Sequence, residues 1–108
     1  MTGALVPGRG EVWWVEEPDI GRRPHLVLTR SAAIPVLRSL IAVPATRTVR
    51  GIPTEVALGE DDGMPAACAL LLDKVTSIPK PFFVSRVTTL GDARMLEVCR
   101  ALRVATGC

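Results

Sequence analysis

The chain has 108 residues, a formal net charge of +2, 48% hydrophobic and 22% charged residues, a balance that excludes intrinsic disorder and fits one domain over residues 1–108. Its longest apolar run, Ala66 to Leu72, falls far short of the ~20 residues that cross a bilayer. The start, Met1-Thr-Gly-Ala-Leu-Val-Pro7, has no basic segment ahead of an apolar one, so no signal peptide is expected.

In chain order, Glu11 to Val15 reads as a first strand whose Trp13 and Trp14 point to opposite faces. Glu16 to Arg23 is acidic, then turn-forming, then basic, and reads as a loop; His25 to Thr29 is a second strand with Pro24 at its start. Ser39 to Val43 is a third strand ended by Pro44. Thr54 to Leu58 alternates with period two and is expected to pair with it as a hairpin across Thr46 to Pro53. An acidic turn, Glu60 to Pro65, precedes Ala67 to Leu72, a run suited to a strand buried on both faces. Val75 to Ile78 and Phe82 to Val87 are further extended segments, with Phe82 and Phe83 read as core or dimer contacts. The final stretch, Thr88 to about Ala105, is helical, with Met95, Cys99 and Leu102 as its stripe and Gly107 as its stop. The expected fold is mainly β with a C-terminal α-helix, a small curled sheet or barrel.

Cys68, Cys99 and Cys108 are odd in number and form no close pair, which favours a reducing cytoplasm over a disulfide-stapled secreted domain. Metal-ligand spacings are absent, so no metal and no cofactor are expected. Of 13 basic residues 11 are arginine, and residues 1–50 hold seven arginines against four acids, +3, while the remainder holds six bases against seven acids, −1. An arginine-rich half suits phosphate, because guanidinium offers paired donors in a fixed plane; a GC-rich genome writing Arg for Lys explains the same count.

Motifs for a catalytic serine, a zinc protease, a phosphate loop or a dinucleotide site are missing. Two places stand out instead. In Gly21-Arg-Arg-Pro24 the proline biases Arg23 toward an extended backbone, which aims its side chain. In Pro44-Ala-Thr-Arg47 a hydroxyl and a guanidinium leave the third strand together.

In order along nearly the whole chain, Arg9-Gly-Glu-Val-Trp-Trp-Val15, Arg22-Arg-Pro-His-Leu-Val-Leu-Thr29, Leu40-Ile-Ala-Val-Pro-Ala-Thr46, Gly51-Ile-Pro-Thr-Glu-Val-Ala-Leu58, Ala69-Leu-Leu-Leu-Asp-Lys-Val-Thr-Ser-Ile78 and Leu90-Gly-Asp92 resemble the MazF/PemK toxins of bacterial toxin–antitoxin systems. The resemblance implies a small SH3-like barrel with a terminal helix, dimeric, with RNA along the dimer groove. It implies a metal-independent endoribonuclease that cuts single-stranded RNA through the substrate's 2′-hydroxyl, leaving a 2′,3′-cyclic phosphate and a 5′-hydroxyl. A cognate antitoxin with an acidic C-terminal segment would occupy the RNA groove. Arg23 would take the proton-transfer and phosphate-stabilising role, and Thr46 would hold the phosphorane oxygens. Alternatives on the same fold are a non-catalytic gyrase inhibitor like the CcdB toxins and a degenerate RNA-binding barrel.

Arginine keeps its proton at pH 7, so Arg23 is expected mainly to stabilise charge while another group moves the proton. His25 shares its strand face and is either that group or a packed strand histidine bonded to backbone. Trp14 either stacks a base or belongs to the core. Arg22, Arg47 and Ser77 are further candidate RNA contacts. Asp73 and Lys74 match a base-reading pair in the family, or are a solvated strand end. The family's longer first loop is here trimmed to Pro18-Asp-Ile-Gly-Arg-Arg23, which leaves base preference open.

Overall fold

A computed structural model describes residues 6–108; Met1 to Ala4 and Leu5, the start of the stretch read for a signal peptide, lie outside the described residues. Among the described residues seven strands and one α-helix follow in order: β1 (Glu11–Glu17), β2 (Gly21–Val27), β3 (Ser39–Thr46), β4 (Glu55–Leu58), β5 (Cys68–Leu71), β6 (Thr76–Pro79), β7 (Phe83–Thr89) and α1 (Asp92–Thr106). Every pairing is antiparallel, in the order β4-β5-β3-β2-β1-β7, with β6 also on β3. Ala42 faces Val27 on one side and Thr76 on the other, so β3 carries β2 along one edge and β6, then β5, along the opposite edge. The mainly β fold with a terminal helix is therefore as the residues led us to expect.

The pleat divides the strands between two apolar clusters. Val12, Leu26 and Val43 belong to the cluster covered by α1, while their neighbours Trp13, Val27 and Ala42 belong to the second, with Val15, Leu40, Ile78 and Phe83. Phe82 packs partly against that second cluster, in line with its reading as core. The helix turns Val98 and Ala101 fully inward, with Met95, Leu102 and Ala105 beside them; Cys99 sits at the border, so the buried face is rotated from the expected stripe. Among the described residues no helix is long and apolar enough to cross a membrane.

Several boundaries differ from the sequence reading, and β2 ends at Val27 and not at Thr29. The segment Glu16 to Arg23 is not a free loop: β1 and β2 run on to Glu17 and from Gly21, with Glu16 opposite Arg22. Pro18 presets its φ and Asp19 takes a left-handed φ of 67°, so Pro18, Asp19 and Ile20 suffice to reverse the chain. Pro24 therefore lies inside β2, where pairing with β3 stops at His25 and leaves a partner on one side only, the setting that tolerates a missing N–H. Likewise β3 does not end at Pro44 but continues to Thr46.

β4 is not hairpin-paired with β3. β5 lies between them, pairing Leu70 with Ala45 and with Val56. All four residues of β5 are buried, whereas β4 buries only alternate ones, so the wholly apolar strand takes the central place and β4 the edge. Finally, Thr88 and Thr89 belong to β7, and the helix starts after Gly91, ending at Gly107 with φ 73° and its N–H bonded to the Arg103 carbonyl.

Candidate active site

Two strand ends meet at one cavity. The β2–β3 ladder pairs His25 with Pro44, and carrying that antiparallel register two residues further sets Arg23 opposite Thr46 on one face. Beyond Pro24 the strands part, and a cavity of about 380 Å³ opens between them. Trp14, Arg22, Arg23, Thr46 and Arg47 all line it, and among the described residues no carboxylate does. The predicted pair, Arg23 and Thr46, is thus brought together with three of the predicted RNA contacts.

Trp14 is half-buried and belongs to neither apolar cluster. Its ring lies 4.7 Å from the Arg22 guanidinium, a cation–π stack on the cavity rim. Arg22 also meets Glu16 at 3.5 Å, with both side chains half in solvent, so that ion pair contributes little. Thr46 Oγ1 accepts the Thr48 N–H at 3.2 Å, which spends a lone pair and leaves the hydroxyl proton free to donate. The site therefore presents three guanidiniums and one hydroxyl donor, a set built to hold a phosphodiester anion.

The opposite wall is Met64 to Cys68, whose members carry no charge and which sequence reasoning placed only in a turn and a strand. Its position is set by the 3-10 turn Glu60–Asp62 just before it. Asp62 Oδ2 accepts the Gly59 N–H at 3.0 Å, and Asp62 Oδ1 accepts Arg94 Nε of α1 at 2.9 Å. The Asp62 carbonyl accepts the Thr88 hydroxyl of β7 at 2.8 Å. The Arg94 guanidinium holds the Asp62 carboxyl below its ordinary range. Burial, helped by the Asp62 charge, pushes the Cys68 thiol up, so it stays protonated at the wall.

A second, smaller hollow of about 230 Å³ lies across the Arg22–Arg23 ridge, with Glu17, His25, Pro44 and Lys74 on its walls. His25 is buried, and its Nδ1 lies 3.1 Å from the Arg23 carbonyl. The ring is packed and backbone-bonded, and it also lines the smaller hollow. Burial lowers its pKa, opposed by the bond to Arg23 and the charge of Glu17. Asp73, by contrast, accepts the Thr54 hydroxyl at 2.6 Å and lines neither cavity. Ser77 is exposed on β6 opposite Ile41, some five residues along β3 from Thr46, or ~17 Å at strand spacing. The structure thus separates Asp73 and Ser77 from the cavity and puts Lys74 beside His25.

Residues 8–106 match the family model described as PemK-like, MazF-like toxin of type II toxin-antitoxin system. The chain belongs to that family. It is 47% identical over 104 residues to the probable endoribonuclease MazF5 of Mycobacterium tuberculosis, covering 95% of each chain. It is 38% identical over 101 residues to the probable endoribonuclease MazF2 of the same species, covering 93% of this chain and 98% of the relative. Among solved structures, a mycobacterial endoribonuclease in complex with its cognate antitoxin superposes with a TM-score of 0.83 at 28% identity, over 94% of this chain and 95% of that one. The Deinococcus radiodurans MazE–MazF complex, form III, superposes at 0.81 and 28% identity, over 95% and 98%. The strand order and terminal helix seen here are thus those of this toxin family.

Proposed function

We propose that residues 1–108 form a single toxin domain, an endoribonuclease that cleaves single-stranded RNA through the substrate's own 2′-hydroxyl. The observation that carries the reading is the carboxylate-free cavity where Arg23 and Thr46 converge with Arg22 and Arg47. The 2′-oxygen attacks phosphorus, the P–O5′ bond breaks, and the products are a 2′,3′-cyclic phosphate and a 5′-hydroxyl. As the phosphorane forms, negative charge grows on its equatorial oxygens, and donors already aimed there stabilise it without reorganising. Arg23 supplies paired N–H donors and Thr46 a third, so charge neutralisation comes from guanidinium where another nuclease would use a metal ion. Arg22 on Trp14 offers a flat cationic platform for a base, and Arg47 steers the strand by its charge.

The names of these mycobacterial relatives, probable endoribonucleases MazF5 and MazF2, favour this reading over a gyrase inhibitor or an inactive RNA-binding barrel. Antitoxin-bound neighbours support a second part of the proposal: a cognate antitoxin whose acidic segment covers the same three arginines. Action is as a homodimer in the cytoplasm, where its RNA substrates are. Incubating the purified protein with labelled single-stranded RNA in excess EDTA tests the activity. Cyclic-phosphate and 5′-hydroxyl ends are expected, with Arg23→Ala and Thr46→Val each ~10²–10³-fold slower, the usual cost of losing a preorganised anion donor. RNA bound but uncut, or supercoiling by gyrase inhibited instead, overturns it.

A further inference from the structure

Cleavage by the 2′-hydroxyl requires a group to take its proton, and the main cavity holds none suited to the task. Arg23 offers N–H donors and no acceptor, Thr46 is a donor, and the Cys68 thiol is buried on the far wall. The acceptors lie across the ridge that Arg23 forms between the two hollows. There the smaller one is lined by Glu17, Arg23, His25 and Lys74.

His25 is two residues from Arg23 on the same face of β2. Its Nδ1 contacts the Arg23 carbonyl at 3.1 Å, and a carbonyl can only accept, so the neutral ring carries its proton on Nδ1. The lone pair is then on Nε2, and among the described residues His25 has no other hydrogen-bond partner. Its cross-strand neighbours do not compete: Pro44 has no donor, and Trp13 Nε1 is spent on Glu11 at 2.9 Å. With 4% of its surface exposed, the ring has little room to turn away. A fixed tautomer with an unspent acceptor thus borders the same residue that grips the phosphate.

We propose that His25 Nε2 is the general base of this enzyme, an inference that rests on the ribonuclease reading above. The ribose 5′ of the cut enters the smaller hollow while its phosphate lies over Arg23 toward Thr46. The 2′-hydroxyl proton moves to Nε2 as the O2′–P bond forms. The P–O5′ bond then breaks, and the leaving 5′-oxygen takes a proton from the imidazolium or from water. The charged groups around the ring are Glu17 from β1, Arg22 and Arg23 from β2, and Lys74 from the turn after β5; β3 contributes only Pro44. Burial and the Arg23 charge disfavour the imidazolium, whereas the bond to the Arg23 carbonyl and the charge of Glu17 favour it.

His25 is the chain's single histidine, so its titration is read directly from one imidazole proton resonance. Single-turnover cleavage of RNA by the unmodified protein, measured against pH, is expected to fall on the acid side with a midpoint equal to that titration. His25→Gln is expected to bind RNA blocked by one 2′-deoxyribose at the cut with unchanged affinity, yet to cleave ~10²-fold or more slowly and lose the acid limb. Added imidazole restores part of the rate to His25→Ala, which a purely structural role does not predict. Cleavage by folded His25→Gln within threefold of the parent overturns the proposal, as does an acid limb that survives there and vanishes in Glu17→Gln. If neither histidine variant folds, the unmodified protein decides, since a limb displaced from the His25 titration also overturns it. No cleavage by the unmodified protein overturns the ribonuclease reading and this inference with it.

Discussion

Gly63 is the residue on which the uncharged wall of the cavity turns, and replacing it with alanine isolates that role. Its φ is 87°, and a Cβ built there falls 2.3 Å from Thr88 Oγ1 and 2.8 Å from Thr88 Cβ. Rotating Thr88 about χ1 moves the hydroxyl but not Cβ, so the second clash persists in every rotamer. The left-handed backbone costs alanine ~1–2 kcal/mol. Relief of the clash then lifts the turn off β7 and breaks the Thr88-to-Asp62 bond, for roughly 1 kcal/mol more. The expected loss is about 2–4 kcal/mol, a large share of the 5–15 kcal/mol of an ordinary domain. Urea unfolding followed by circular dichroism reads it. Gly59→Ala is the control, since Gly59 has an extended φ of −148° and nothing within 4 Å of its Cβ; under 1 kcal/mol is expected there. Repeating Gly63→Ala on a Thr88→Gly background removes the clash and should leave only the backbone cost of ~1–2 kcal/mol. A loss below about 0.5 kcal/mol, or one unchanged on that background, refutes the reasoning. Because Met64 to Cys68 follow at once, the same variant should also weaken RNA binding at temperatures where it remains folded.

Arg22→Ala is expected to change unfolding free energy by less than ~1 kcal/mol, its partners being half in solvent, while RNA affinity measured by fluorescence anisotropy falls several-fold. Arg23→Lys keeps the charge and loses the planar pair of donors; a drop of tenfold or more in single-turnover cleavage is expected, and near-full activity contradicts a need for guanidinium. Burial lowers the His25 pKa, so the unfolded chain takes up the proton first. Stability should therefore fall as pH drops through the ordinary imidazole value of about 6.5 and level off below the folded-state value, a slope that His25→Leu abolishes in pH-dependent urea titrations. Asp62, whose carboxyl is held down chiefly by Arg94, contributes stability above the ordinary carboxylate range that is lost as pH falls through its own lower value; Asp62→Asn should flatten that acid step.

Where chemistry-bearing residue types sit at strand ends, they were legible from the chain. Pro24 aims Arg23 and Pro44 precedes Thr46, and the pairing of His25 with Pro44 is what carries those two positions to one place. Trp13 and Trp14 had to part company by the pleat alone, one to the core and one to the cavity rim. The placement of β5 was not legible. Local alternation in Thr54 to Leu58 favours a partner nearby in sequence, and only the competition for the central place, won by the four buried residues of β5, separates β4 from β3. The wall Met64 to Cys68 was hidden for a different reason: nothing in Met-Pro-Ala-Ala-Cys has charge or acid–base function, and its use comes from where Asp62 and Gly63 hold it.

The short first hairpin links these points to function. Had Pro18 to Arg23 remained a loop, Arg22 and Arg23 would carry the conformational freedom of a loop and would lose it on gripping a phosphate. In β2 their backbone is already paired, with Glu16 and Val15 opposite, so part of the ordering cost is met in folding and not in binding. The same register fixes His25 one step deeper, with its Nδ1 committed to the Arg23 carbonyl. A lengthened turn between Pro18 and Gly21 should leave the strands paired and cleavage intact, because the grip on phosphate is set by β2. Insertion of Gly-Ser after Asp19 tests this by single-turnover cleavage. A rate within threefold of the parent is expected, together with altered preference among RNA sequences as Ile20 moves from the smaller hollow. Loss of cleavage with folding and RNA affinity intact would mean that the turn, and not the strand, positions the reacting groups.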